Sequence, residues 1–294
     1  MLIQDLIFTI ATTSACGYTV VRDRLLGRIG HSIPERLPDA QVSRHRIQSG
    51  RNSLDALFVA PSTQPVRAAV LICHGIGEIV DHWVPAQQLL AANGVASLVF
   101  DYSGYGKSSG FVSAAQCEED AVNAFRHLQS LIPSSPVSIP VSMLGFSMGS
   151  GVAAAVLGRV AADRLVLCAA FTSFRKAAGS LGFPKVLCAL TPEVWRTEET
   201  LRGCCVPVLL VHGEKDEVFP VQMAVDLHRC CGGDAELVVV PNLAHNEPFY
   251  WPQISYWGPI VAWLTQASLD SVAGAAADSH GAGVRSDVST IHLV

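Results

Sequence analysis

Short apolar runs, rich in β-branched residues, recur along this chain, and most are followed by a stretch long enough for a helix. Arg44–Ser49 and Ser53–Ala60 predict an opening strand pair joined by a turn at Gly50-Arg51-Asn52. Beyond them, Ala68–Cys73, Val95–Tyr102, Val141–Phe146, Leu165–Ala170, Pro207–Val211 and Glu236–Val240 each predict a strand. Unbroken apolar strands alternating with helices imply an α/β fold with a mostly parallel sheet of eight strands, covered by helices on both faces. In open sheets of this kind, ligands and chemistry gather beyond the carboxyl ends of the strands. The polar residues just past each strand therefore carry the functional interest.

Both ends break the pattern. Leu6–Val21 is uncharged and largely apolar, with Arg22 and Arg24 after it. It is shorter than the roughly 18–20 apolar residues a membrane span needs, and it lacks a positive leader. Two readings stay open for residues 1–40: a peripheral or short membrane anchor, and a plain helix or extension. Residues 267–294 are rich in Ala, Gly, Ser and Asp without periodicity, so they are expected to form a disordered tail. Residues 41–266 remain as one folded domain, and with half of the 294 residues apolar the chain is able to bury one sizeable core.

A net charge of −5 leaves no basic stripe, which argues against nucleic acid as a partner. The nine cysteines include two adjacent pairs, Cys204-Cys205 and Cys230-Cys231, but no C-x-x-C and no histidine at metal-ligand spacing beside them. Reduced, mostly core thiols in a cytoplasmic setting are expected, with no metal; the rival, a vicinal or regulatory disulfide, carries ring strain.

Candidate chemistry begins at Gly145-Phe146-Ser147-Met148-Gly149, a G-x-S-x-G between a buried strand and the small-residue run Ser150–Leu157. That context lifts one serine onto a sharp strand-to-helix turn, with glycines on either side so that neighbouring backbone comes close. After Cys73 comes His74-Gly75-Ile76-Gly77-Glu78, a glycine-bearing loop able to aim a backbone N–H at an oxyanion. Ile76 and Met148 are the expected donors, and His74 is expected to be a structural hydrogen-bonder rather than a base. After Val211 comes His212-Gly213-Glu214-Lys215-Asp216-Glu217, where Asp216 is the favoured acid and Glu214 and Glu217 compete with it. After Val240 comes Pro241-Asn242-Leu243-Ala244-His245, with a histidine between the last strand and the last helix. Serine, acid and histidine thus follow three separate strands, in the chain order of α/β-hydrolases. Asp101 also ends a strand, and it is expected to brace its own loop through backbone hydrogen bonds.

Taken together, the loop FDYSGYGKSSG, the elbow GFSMGS, the acid turn HGEKDEVFP and the histidine turn NLAHNEPF resemble the α/β-hydrolase superfamily over roughly Arg44 to Thr265. Within it they are similar to the lid-poor branch of serine-aminopeptidase-type domains and membrane-associated depalmitoylases. The resemblance implies Ser147 as nucleophile, Asp216 as acid, His245 as base, Ile76 and Met148 as oxyanion donors, and no cofactor. Depalmitoylases of this branch carry an N-terminal cysteine cluster, whereas only Cys16 lies near this start, so their substrate does not carry over.

The expected reaction is hydrolysis of a carboxylic ester or thioester through an acyl-enzyme, on a small-molecule or acylated substrate. The stretch Ser173–Cys205 is too short for a large helical cap, so a minimal cap and an open site are expected, with a lid over Lys185–Leu201 left undecided. Trp83, Trp195 and Phe249, with Tyr250 and Trp251, are candidates to border an apolar acyl pocket, although scattered aromatics more often pack a core. Peptidase or acyltransferase chemistry with the same triad stays open, as does a non-catalytic binding protein of this fold held at a membrane by its N-terminus.

Overall fold

The computed structural model describes residues 36–133, 138–180, 193–246 and 254–266, together with the isolated residues 8, 9, 12, 21, 189 and 191. The tail 267–294, Cys16, most of Leu6–Val21, and Phe249, Tyr250 and Trp251 lie outside the described residues.

The strands are β1 (Arg36–Leu37), β2 (Ala40–Ser49), β3 (Asn52–Pro61), β4 (Ala68–Cys73), β5 (Val95–Phe100), β6 (Val141–Phe146), β7 (Leu165–Cys168), β8 (Val208–Gly213) and β9 (Ala235–Val240). They form one sheet in the order β1-β2-β3-β5-β4-β6-β7-β8-β9. The eight expected strands are all present. The two-residue β1 is an addition, paired with β2 through Arg36↔Gln41 and Leu37↔Ala40. From β5 to β9 every pairing is parallel, while β1, β2 and β3 join antiparallel, with β3 set against β5. Strands β4, β5, β6, β7 and β8 are buried along their whole length, as a sheet covered on both faces requires.

The principal helices are α1 (Val84–Ala92), α2 (Ala114–Leu131), α3 (Met148–Val156), α4 (Phe174–Ser180), α5 (Thr197–Arg202), α6 (Gln222–Cys230) and α7 (Ile254–Thr265). Two apolar cores follow from this layering. On one side Ala121, Phe125 and Leu128 of α2 and Val152 and Val156 of α3 pack with alternate residues of β4–β8, such as Leu71, Met143 and Leu210. On the other, Leu89 and Leu90 of α1 and Trp257, Ile260 and Leu264 of α7 meet Val70, Ile72 and Leu144. Alternation along each strand produces both faces at once.

Buried polar side chains fix the loops between these layers. Ser113 caps α2, its hydroxyl accepting from the Gln116 N–H. Within the same helix Asp120 accepts from Ser49 Oγ at 2.6 Å and from the Ser103 N–H at 2.7 Å, tying the end of β2 to the loop after β5. Every cysteine among the described residues is a free thiol, and burial pushes those of Cys73 and Cys168 up to about 12. No helix among the described residues is long and apolar enough to cross a membrane.

Candidate active site

Ser147 sits at the turn between β6 and α3 with φ 52° and ψ −120°, a strained backbone for a residue with a β-carbon. The flanking glycines make the turn possible. A β-carbon on Gly145 would lie 2.4 Å from the Gly149 carbonyl oxygen, and one on Gly149 would lie 1.9 Å from the carbonyl oxygen of Cys73 on the adjacent strand. The Ser147 N–H donates to Cys168 O at 3.0 Å, locking the elbow to the end of β7.

Three side chains from three strand ends converge. Ser147 Oγ lies 3.0 Å from His245 Nε2, and His245 Nδ1 lies 2.7 Å from Asp216 Oδ2. An ionised carboxylate only accepts, so Nδ1 carries the proton and Nε2 is left to accept from the serine hydroxyl. Asp216 Oδ1 accepts from the N–H groups of Val218 and Phe219 at 2.8 and 2.7 Å. Burial raises the Asp216 carboxyl, but the hydrogen bonds from His212 and His245 and from the Phe219 backbone outweigh it. The net effect holds the group well below the usual carboxylate range.

The competing acids have backbone duties instead. Glu217 accepts from the His245 N–H at 3.2 Å, and Glu214 accepts from the Asn242 N–H at 3.1 Å. Together with Glu214 N–H to Val240 O and Lys215 N–H to Leu243 O, these bonds knit the acid turn to the histidine turn. His212, which the sequence reading did not single out, also reaches Asp216. Its Nε2 is 3.3 Å from Asp216 Oδ2 and 2.9 Å from Phe219 O, both acceptors, so it donates. The available signal was a histidine closing an otherwise apolar buried strand.

Met148 begins α3, where the first N–H groups of a helix have no partner within it and point beyond the end. Across from it runs the loop after β4. There the Gly75 N–H is held by Glu78 Oε2 at 2.9 Å, and Ile76 is 41% exposed. His74 is buried, its Nδ1 2.9 Å from Gly75 O, and burial pushes it down to about 4. It is thus a neutral structural group in that loop. Asp101 braces its surroundings, Oδ1 accepting from the Val80 N–H and Oδ2 from the Lys107 N–H.

Ser147 and His245 are each only 5% exposed, and the imidazole is flanked by Phe146 and Phe219 with ring centroids 5.1 and 5.4 Å away. Trp83 is buried against Phe146, with its indole N–H on Glu78. Trp195 is buried between Phe8 and Phe174. Phe249 lies outside the described residues. Among the described residues no group of three or more His, Cys, Asp or Glu side chains is arranged to hold a metal ion.

Residues 64–193 match the family model described as serine aminopeptidase, S33. The matched stretch includes the loop after β4 and Ser147 but ends before Asp216 and His245. The protein YfhR of Escherichia coli O157:H7 is 28% identical over 67% of this chain and 70% of its own length. Lysophosphatidylserine lipase ABHD12 of Danio rerio is 28% identical over 59% of this chain, which spans only half of that relative. Among solved structures, the Pyrococcus furiosus esterase PF2001 aligns with a TM-score of 0.63 at 19% identity, over 80% of this chain and 93% of its own. At that identity the likeness speaks for the fold.

Proposed function

The chain belongs to the α/β-hydrolase superfamily, and from that premise we propose that it is a serine hydrolase of carboxylic esters or thioesters. The observation that carries the reading is the unbroken hydrogen-bond chain from Ser147 through His245 to Asp216, at 3.0 and 2.7 Å. A protein that only binds has no use for three such side chains on three separate turns.

In this reading His245 Nε2 takes the Ser147 proton as Oγ attacks the acyl carbonyl carbon. The carbonyl oxygen becomes an oxyanion held by the N–H groups of Ile76 and Met148. Collapse expels the alcohol or thiol, which takes its proton from His245, and leaves an acyl-serine. Water then attacks with His245 again as base, releasing the acid and restoring Ser147. Asp216, kept ionised, fixes the imidazole tautomer and stabilises the imidazolium. No step calls for a metal or an organic cofactor.

One relative's name, lysophosphatidylserine lipase, brings lipid esters into the range of substrates to try. The test is turnover of p-nitrophenyl esters and acyl-thioesters of increasing chain length by the intact protein and by Ser147→Ala, alongside fluorophosphonate labelling. Serine-dependent turnover supports a hydrolase. No turnover above the alanine variant and no labelling would favour a binding protein. Membrane association through the N-terminus is a separate proposal: deletion of residues 1–24 should release the protein to the soluble fraction, and a full-length protein already in that fraction would overturn it.

A further inference from the structure

Two N–H groups that serve one oxyanion must point at the same place before the charge forms. The Met148 N–H has its direction fixed by α3. The Ile76 N–H lies in residues 74–79, which belong to no regular helix or strand; the carbonyl of its own peptide, Gly75 O, is held by His74 Nδ1 at 2.9 Å. Side chains therefore set the planes of the peptides in that loop.

Glu78 holds the peptide before that one, on the other side of the Gly75 Cα. A single carboxylate oxygen, Oε2, accepts from the Gly75 N–H at 2.9 Å and from Trp83 Nε1–H at 3.0 Å. Glu78 is 9% exposed, and the indole beside it is packed against Phe146, the residue before Ser147. A continuous path therefore runs from the elbow through Trp83 and Glu78 to Gly75. Farther along the loop, the Ile79 N–H donates to His82 Nδ1 at 3.0 Å and the Val80 N–H to Asp101 Oδ1 at 2.8 Å. The N–H groups of residues 75, 79 and 80 are all drawn onto side chains of the protein body.

We infer that Glu78 is a positioning residue for the oxyanion hole: it holds the His74–Gly75 peptide while His74 Nδ1 holds the Gly75 carbonyl, so that the Gly75 backbone is fixed from both sides and the Ile76 N–H faces the reacting carbonyl. The inference rests on the serine-hydrolase reading. Glu78 does not touch substrate; it acts through the loop. Its loss removes the acceptor of the Gly75 N–H, and the Gly75 backbone regains freedom to turn the Ile76 N–H away. The hydrogen bond then missing is one made mainly in the transition state, so kcat falls while KM stays.

The test uses the full-length protein, a p-nitrophenyl ester, and the matching thionoester, whose C=S sulfur is poorly served by an oxyanion hole. Glu78→Leu is expected to lower kcat by about 100-fold, with KM changed by less than about threefold. The preference for ester over thionoester should shrink by at least about tenfold. Glu78→Gln offers one carbonyl oxygen to both donors and is expected to keep kcat within about fivefold of wild type. Should the leucine variant fail to fold, Glu78→Asp, which withdraws the acceptor by one methylene, carries the same expectation at reduced size. A folded leucine or aspartate variant with wild-type kcat and undiminished ester preference overturns the inference while leaving the hydrolase reading intact. A wild type no faster than Ser147→Ala overturns both.

Discussion

Asp101 and Asp216 are the same residue type, each buried just past a parallel strand, and the protein treats them in opposite ways. Asp101, after β5, accepts from two backbone N–H groups, Val80 and Lys107, and has Asp55 and Asp81 nearby. Burial pushes it up to about 7, and those hydrogen bonds reverse only part of the rise. Asp216, after β8, accepts from two backbone N–H groups and from two imidazoles, His212 and His245, and is held well below the ordinary range. Burial alone does not decide whether a carboxylate stays charged; the donors around it do. One aspartate is a brace for loops. The other is suited to stabilising positive charge on a histidine.

The comparison breaks first on activity. Asp216→Asn is expected to lower kcat by about 10³–10⁴-fold, because an amide N–H facing Nδ1 favours the wrong tautomer. Asp101→Asn should cost at most about tenfold, and ester turnover by the two purified variants decides the matter. Equal losses would mean that the two sites do not differ in kind.

Removing the imidazole donor that only Asp216 enjoys gives the next effect. His212→Asn withdraws the Nε2–H bond and should lower kcat by about tenfold, as a carboxylate with one donor fewer orients His245 less firmly. Unchanged kcat would assign His212 to packing alone.

Proton linkage gives the third, measured as melting temperature against pH. The carboxyl of Asp216 is depressed in the folded state, so its contribution to stability is present above the unfolded value of 3.8 and is lost as pH falls toward the folded one. Asp101 is raised, so its contribution is present below 3.8 and is lost as pH rises through about 7. Asp101→Asn should flatten the slope between pH 4 and 7, and Asp216→Asn the slope below pH 4. The smallest effect is expected at the neighbouring acids. Glu214→Gln and Glu217→Gln keep an acceptor for the N–H groups of Asn242 and His245, so kcat should stay within about threefold.

Much of the frame was readable from the chain because β4 to β8 lie inside a two-faced sheet, and such strands are written as plain apolar runs. Strand β2 was read four residues short. Its first turn outward alternates exposed Gln41 with buried Ala40 and Val42, a weak signal, and β1 is held by two backbone pairings that leave no side-chain pattern. In the site, Ser147, Asp216 and His245 stand in turns whose local sequence reports their backbone, and the structure brings those three together. Glu78 and His212 escaped notice because their value lies in which distant atoms they meet. For a related reason the sequence does not say whether the buried rings of Trp83 and Trp195 face a cavity or a core.

The most direct test of the account is hydrolysis of a p-nitrophenyl ester series by the intact protein set beside Ser147→Ala, at matched folding and concentration. The account predicts turnover with an acyl-chain optimum in the intact protein and loss of at least about 10³-fold in the variant. Equal rates in the two proteins would contradict it.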